Sequence, residues 1–402
     1  MKRYFPISGL LLGIVVLGIA LYPTPNNAAV STPSTVSVGG GDGAECTGDP
    51  DSGLGASLGL ICQPQYTAAA NAASTSADLS VQVVPRAGVA TADPQATPTT
   101  QRVLNYLYTL RGNHTLSGQY NRNNDWQTPY SGKSQSVAQA CSPNLPAIGG
   151  GGDNSWLSHD EPVWAAQWNS GGLVFIMLNY SFPNGTGPDS GRGFNYLSHD
   201  DVVQLTTPGT SAYAQLHNAM DVTINGALIP LRDAGATVII RPYWEMNGNW
   251  TNYYSGSMGD ADFALLWQDA FTYLTTNNGL HNLLFHFSPN GGVDGYTTGF
   301  RSQYVDVVGL DWYTSQPTFV PGYNELAATG KPILLGEIAT NDASSTYDWS
   351  AWPGIIQSQM PLTVGIMGWW EDSLVPGGRF PGFNCSQYLE SPRMINLGGV
   401  HY

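Results

Sequence analysis

The sequence predicts an α/β protein, a single (β/α)8 TIM barrel preceded by an N-terminal leader and a low-complexity linker. Three observations carry this. Eight short apolar segments follow one another after about Thr99, most of them ending in polar or aromatic residues. Helix-like stretches lie between them, and strand–helix alternation implies a parallel sheet joined by crossovers. The span also suits a barrel, which takes about 250 residues plus insertions.

The elements follow in order. Residues 1–29 read as a signal peptide or N-terminal anchor: Lys2 and Arg3 precede an apolar run from Ile7 to Leu21, then Pro23, Pro25, Ala28 and Ala29. The run falls short of the roughly 20 residues a spanning helix needs, which favours a cleaved secretory signal and an extracellular protein. No Cys follows directly, which argues against a lipoprotein. Residues 30–98 are Ala, Ser, Thr, Gly and Pro with Tyr66 as the one aromatic, a linker composition. Residues 99–402 form the barrel. Its first helix is TPTTQRVLNYLYTL, with Thr99 or Thr100 placed to cap it. The strand candidates are HTLSGQYN, LPAIGGGGD, GGLVFIMLNYS, ATVIIRPYWE, NLLFHFSPN, YVDVVGLDWY, KPILLGEIA and VGIMGWWED. SAYAQLHNAMDVTINGALIPLRDAG and DADFALLWQDAFTYLTTNNG read as helices, the second closing on an Asn-Asn-Gly C-cap. A doubly wound open sheet usually shows a Gly-rich turn after its first strand, and GQYNRNN is not one.

Composition narrows the partners. Charged residues are 11% of the 402, against roughly 25% in typical soluble proteins, while Gly (48), Tyr (21) and Trp (12) are abundant. Such a surface suits neutral, hydroxyl-rich ligands, with aromatic faces packing on sugar C–H faces. A net charge of −15 with 14 Lys and Arg argues against nucleic acid and against anionic membrane surfaces. The seven His form no H-E-x-x-H pair and GEIATND lacks EF-hand spacing, so no metal or cofactor is expected. Cys46, Cys62, Cys141 and Cys385 fit an oxidising compartment and allow three connectivities. Cys46 with Cys62 is the economical local bridge, which leaves Cys141 for Cys385. The sequons at Asn113, Asn179, Asn184, Asn249 and Asn384 matter only in a eukaryotic secretory pathway. A monomer is expected.

In a barrel the C-terminal strand ends share one mouth. Those ends here carry Glu245, Pro289-Asn290, Asp311 and Tyr313, Glu337, and Trp369-Trp370-Glu371. A Glu directly after an apolar strand is costly unless paired or used. Glu245 and Glu337, after the fourth and seventh strands, would face each other across the mouth. Hydrolysis of a glycosidic bond needs such a pair: one carboxyl protonated to release the leaving oxygen, one ionised to attack, about 5–5.5 Å apart in retaining enzymes. The ordinary alternative for either Glu is a loop ion pair.

RPYWEMNGNW resembles the acid/base segment of glycoside hydrolase family 26, the β-mannanases and relatives, at Arg241, Pro242, Glu245 and Trp250. YVDVVGLDWY is similar to the family's sixth strand at Asp311 and Tyr313. KPILLGEIA resembles its nucleophile strand at Glu337, and VGIMGWWED its eighth, where Trp369 or Trp370 would floor a sugar subsite. The resemblance covers about residues 100–393. It implies a retaining endo-β-1,4-mannanase-like hydrolase in which Glu337 attacks the anomeric carbon and Glu245 is acid and then base. It also implies that Tyr313 bonds Glu337, Asp311 orients neighbours, and Trp250, Trp369 and Trp370 stack on sugar. Arg241 is expected to pair with a carboxylate in the mouth, and Asn247 to bond a sugar hydroxyl or cap a turn. Trp156, Trp244, Asp153 and Asn179 are lesser candidates. Two departures leave the sugar open: Trp244 stands where the family usually has His, and the third strand, LNYSFPNG, lacks the family's His. β-1,3-Xylan and β-glucan are the alternative substrates, and a non-catalytic carbohydrate-binding barrel is the alternative class.

Overall fold

The computed structural model describes residues 88–121, 126–128, 136–152, 157–178, 196–341, 347–369, 373–376 and 381–402, all within the compact unit Gln82–Tyr402. The leader, almost all of the linker, Cys46, Cys62, Asp153, Trp156, Asn179, Trp370 and Glu371 lie outside the described residues.

Branched and aromatic apolar residues dominate the eight barrel strands. These are β1 (Thr115–Tyr120), β2 (Ile148–Gly151), β3 (Leu173–Met177), β4 (Val238–Arg241), β5 (Leu283–Phe287), β6 (two segments, Val307–Val308 and Asp311–Tyr313), β7 (Ile333–Ala339) and β8 (Thr363–Gly368). Each pairs parallel with the next, and β8 pairs parallel with β1, so the sheet closes. Closure leaves no edge strand within the barrel. All eight expected strands are present, in the expected order.

Side chains divide by strand period. Leu173, Phe175, Ile239, Leu284 and Leu334 belong to one buried cluster. Their sequence neighbours Val174, Ile176, Val238, Ile240, Leu283, Phe285, Ile333 and Leu335 belong to another, with the surrounding helices. Val103, Leu104, Leu107 and Leu110 of the helix Pro98–Leu110 join the first cluster. That helix sits where the strands begin, since the Thr100 hydroxyl meets that of Thr237, just before β4. Its N-cap is Thr97, whose side chain accepts from Thr100 N–H at 3.1 Å, not Thr99 or Thr100 as expected. Pro98 explains the difference: it lacks an N–H and suits the first helical position, so the cap falls before it.

The long helix before β4 runs Ser211–Thr223, widens through a π turn at Ile224–Leu228, and continues as Ile229–Asp233. The π turn lies just before Pro230, which cannot donate a helical hydrogen bond. The helix Asp260–Thr272 likewise passes through a π turn, Tyr273–Asn277, and stops at Gly279 in the left-handed region (φ 61°). Among the described residues no helix is long and apolar enough to cross a membrane.

Cys141 and Cys385 are joined, as their leftover pairing implied, across 244 residues. Closing so long a loop constrains the unfolded chain strongly, by about 2–4 kcal/mol in typical cases. Replacing both by Ala is expected to lower Tm by several degrees. A reductant should reproduce that loss in the native chain and leave the double variant unaffected, as read by a thermal melt.

Candidate active site

β4 ends at Arg241, and the chain then turns sharply at the C-terminal end of the barrel. Tyr243 (φ 50°) and Glu245 (φ 49°) both adopt the left-handed conformation, which disfavours side chains with a Cβ. Three bonds hold the turn. Glu245 N–H donates to Ser288 O (2.9 Å), Gly248 N–H to Glu245 O (2.8 Å), and the Tyr253 hydroxyl to Trp244 O (3.0 Å). The turn swings Glu245 off the strand and back over the mouth. Backbone strain of this kind persists only where surrounding contacts over-determine it.

Beneath Glu245 lies a buried ion cluster. Arg241 Nη1 donates to Glu337 Oε1 at 2.5 Å and Nη2 to Asp311 Oδ2, with all three side chains almost fully enclosed. Strand register brings them together: Asp311 of β6 lies directly opposite Glu337 of β7. Asp311 Oδ1 accepts from Ser288 Oγ (2.9 Å), and Glu337 Oε2 from the Tyr313 hydroxyl (2.6 Å). Gly336 makes room for the cluster, since a Cβ there would come within 2.8 Å of Asp311 Oδ1. His286 lies below in β5. Burial and the Arg241 charge push its pKa down to about 3, so it is neutral and its Nε2–H donates to Leu334 O (2.8 Å).

Glu245 faces this cluster with different neighbours. Its Oε1 accepts from Asn290 Nδ2 and its Oε2 from Trp250 Nε1, both at 2.6 Å. Carboxylate oxygens of Glu245, Asp311 and Glu337 all lie within 4.8 Å of one another. Burial, and then the charge of Glu337, push Glu245 up to about 7, against the pull of Asn290, Arg241 and Trp250. Burial alone would disfavour the Arg241 cation, but Asp311 and Glu337 outweigh it and hold its pKa well above the usual value. Burial and the nearby carboxylates keep the Tyr313 hydroxyl protonated, hence a donor. Glu245 is thus disposed to carry a proton near neutrality, and burial likewise pushes Asp311 well above the usual carboxylate range against the pull of Arg241. Glu337 sits between a fixed cation and a hydroxyl donor.

The sequence-expected residues Arg241, Glu245, Trp250, Asp311, Tyr313 and Glu337 therefore meet in one place. Trp369 follows β8, half-buried, edge-on to Tyr120 with ring centroids 4.8 Å apart. Of the two roles expected for Asn247, the contacts favour the structural one. Its Nδ2 donates to Asn290 O (2.9 Å) and Val293 O (2.6 Å), and its Oδ1 accepts from Asn290 N–H (2.7 Å). With both amide hydrogens engaged by backbone, it ties down the loop after β5. Trp244 is buried edge-on to Tyr253 and belongs to neither apolar cluster. The sequence places Asn290 at the mouth without a role, and Ser288 and Tyr120 go unremarked. Both stand at or just past a strand's C-terminal end, so the rule that found Glu337 could have flagged them.

A closed parallel barrel with two close carboxyls at its C-terminal mouth defines a class of barrel hydrolases that work by acid–base pairs. The sequence model for glycosyl hydrolase family 26 matches residues 92–369, and the chain belongs to that family. It is a glycoside hydrolase. Among its relatives is a mannan endo-1,4-β-mannosidase of Bacillus subtilis, 27% identical over 312 residues, 71% of this chain and 83% of that protein. Mannan endo-1,4-β-mannosidase A and B of Caldalkalibacillus mannanilyticus is 27% identical over 78% of this chain and 64% of its own length. Among solved structures, a Bacillus subtilis mannanase superposes with a TM-score of 0.63 at 24% identity, covering 77% of this chain and 96% of that one. A modular Cellulomonas fimi endo-β-1,4-mannanase gives 0.61 at 17% identity, covering 78% of each.

Removing the Arg241 cation would leave Asp311 and Glu337 buried without a counter-charge, which typically costs about 3–5 kcal/mol. Arg241→Met is therefore expected to melt well below the native chain at pH 8. The unpaired carboxyls can take up protons as the pH falls, so the gap in Tm should narrow towards pH 5.

Proposed function

We propose that this glycoside hydrolase is a secreted endo-β-1,4-mannanase that cleaves its substrate by double displacement with retention at the anomeric carbon. The observation that carries the chemistry is the approach of Glu245 and Glu337 to within 4.8 Å, one raised to about 7 and the other held by Arg241 and Tyr313. That separation accommodates a sugar carbon between two carboxyls without an intervening water, the retaining arrangement. Mannan as substrate is supported by the curated relatives, which are mannan endo-1,4-β-mannosidases. Secretion is supported by the basic start and short apolar run of residues 1–29.

In the first step Glu337 attacks the anomeric carbon while Glu245 gives its proton to the departing oxygen. Arg241 and Tyr313 each bond one Glu337 oxygen, which orients the nucleophile for attack. Once Glu337 is esterified its negative charge is gone. One of the two influences that raise Glu245 is then lost, so Glu245 becomes the stronger acid and its ionised form can take a proton from water in the second step. Trp250 and Trp369 offer aromatic surface to the sugar. The binding-only alternative gives no reason for two carboxyls to be buried together at that expense in solvation.

Mannan, xylan and mixed-linkage glucan, with product sizing and NMR of the first-formed anomer, test this reading. The expected result is mannan cleavage to short oligosaccharides with retained configuration. Xylan and glucan belong in the panel because Trp244 stands beside Glu245 in place of the family's usual His. Glu337→Ala and Glu245→Ala should each lower kcat by about 10²-fold or more. Full activity in both would overturn the assignment. kcat/KM should fall as the pH rises above about 7, because Glu245 then loses the proton that the leaving group needs.

A further inference from the structure

Asn290 sits in the loop after β5 with every hydrogen-bonding group facing it fixed. Its N–H donates to Asn247 Oδ1 (2.7 Å), and its carbonyl accepts from Asn247 Nδ2 (2.9 Å). The same loop is pinned to β6: Asp311 N–H donates to Pro289 O (3.1 Å), and Gly291 N–H donates to Asp311 O (2.8 Å). Most telling is the side-chain amide. Its Oδ1 accepts from Gly292 N–H at 2.7 Å, which settles which end of the amide is oxygen. The NH2 end must therefore face Glu245 Oε1 at 2.6 Å, and it can donate there but never accept. The other partner, the Trp250 indole N–H, is also a donor only. Glu245 is clasped by two groups that both prefer it as a carboxylate.

Building on the acid/base role given to Glu245 above, we infer that Asn290 is a positioning residue for the proposed reaction. Clamped by Asn247, it holds Glu245 and favours the ionised form on which the second, water-consuming half of the reaction depends. Burial and Glu337 favour the protonated form needed first, and Asn290 and Trp250 oppose them. The balance sets where Glu245 titrates. Asn247 contributes from behind, without touching Glu245.

The test is the pH profile of three single variants. Asn290→Asp is nearly isosteric and still accepts from Gly292 N–H, so the turn is kept, but its ionised form cannot donate to Glu245 and adds a negative charge beside it, both of which favour protonated Glu245. Asn290→Ala removes the donor outright, and Asn247→Ala loosens the loop. In Asn290→Asp and Asn290→Ala the basic limb of kcat/KM should move up by about one to two pH units, the size of one charge-assisted hydrogen bond. On an aryl glycoside of whichever oligosaccharide the enzyme releases, for which the second step limits turnover, kcat below pH 7 should fall and the glycosyl-enzyme should accumulate. Asn247→Ala should shift the same limb less. A merely structural role would lower activity evenly without moving the limb. Folded Asn290→Asp with an unmoved basic limb overturns the inference. If Glu245→Ala keeps full activity the acid/base assignment itself fails. If Glu245→Ala is inactive while the limb stays put, only the role of Asn290 does.

Discussion

The site is organised around one guanidinium with no access to water. Arg241 ends β4 and reaches across the barrel to carboxyls supplied by β6 and β7. Three ionisable groups in a low-dielectric interior are tolerable only because their charges meet at hydrogen-bond distance. The register between β6 and β7 that sets Asp311 opposite Glu337, Gly336 with no Cβ, and Ser288 bonded to Asp311 all serve that meeting. An Arg–carboxylate fork adds direction to the attraction, so Glu337 is held in orientation as well as in charge.

Glu245 shows the complementary case, a carboxyl with no cation in direct contact. Its environment is divided against itself: enclosure and Glu337 favour the neutral acid, while Asn290 and Trp250 favour the anion. Enclosure and Glu337 win, and the balance comes to rest at about 7, where a carboxyl can both give and take a proton near neutrality. The two catalytic candidates thus differ by surroundings and not by residue type. The left-handed turn at Tyr243 and Glu245 is the backbone expression of this, a local cost held in place by bonds to Ser288 and Tyr253.

Much of this was legible in the chain. Short apolar runs ending in Glu337, Asp311 and Tyr313 mark strand ends, and eight of them in alternation with helices leave few architectures beside a barrel. The expectation that Arg241 would find a carboxylate, which came with the family resemblance, agrees with the geometry. The differences are local. Pro98 hides a helix start at Thr97, so the sequence points to Thr99 or Thr100, and a polar residue beside Glu245 leaves a sugar contact and a turn cap both open for Asn247. Its amide is spent on the backbone of residues 290 and 293, more than forty positions away, which no local pattern reveals.

By itself, then, the sequence determined the barrel, its strand order, and which two glutamates would stand at one mouth. These follow from periodicity and from the solvation cost of burying charge, both properties of the chain read locally. Only the tertiary structure decided that burial and Glu337 raise Glu245, that Arg241 holds Glu337 and Asp311 together, and that Asn290 faces Glu245 with its donor end. Those depend on distances between strands far apart in sequence, and electrostatic strength falls with distance and with access to water. The same residue type, Glu, meets opposite surroundings from neighbours that the fold alone supplies.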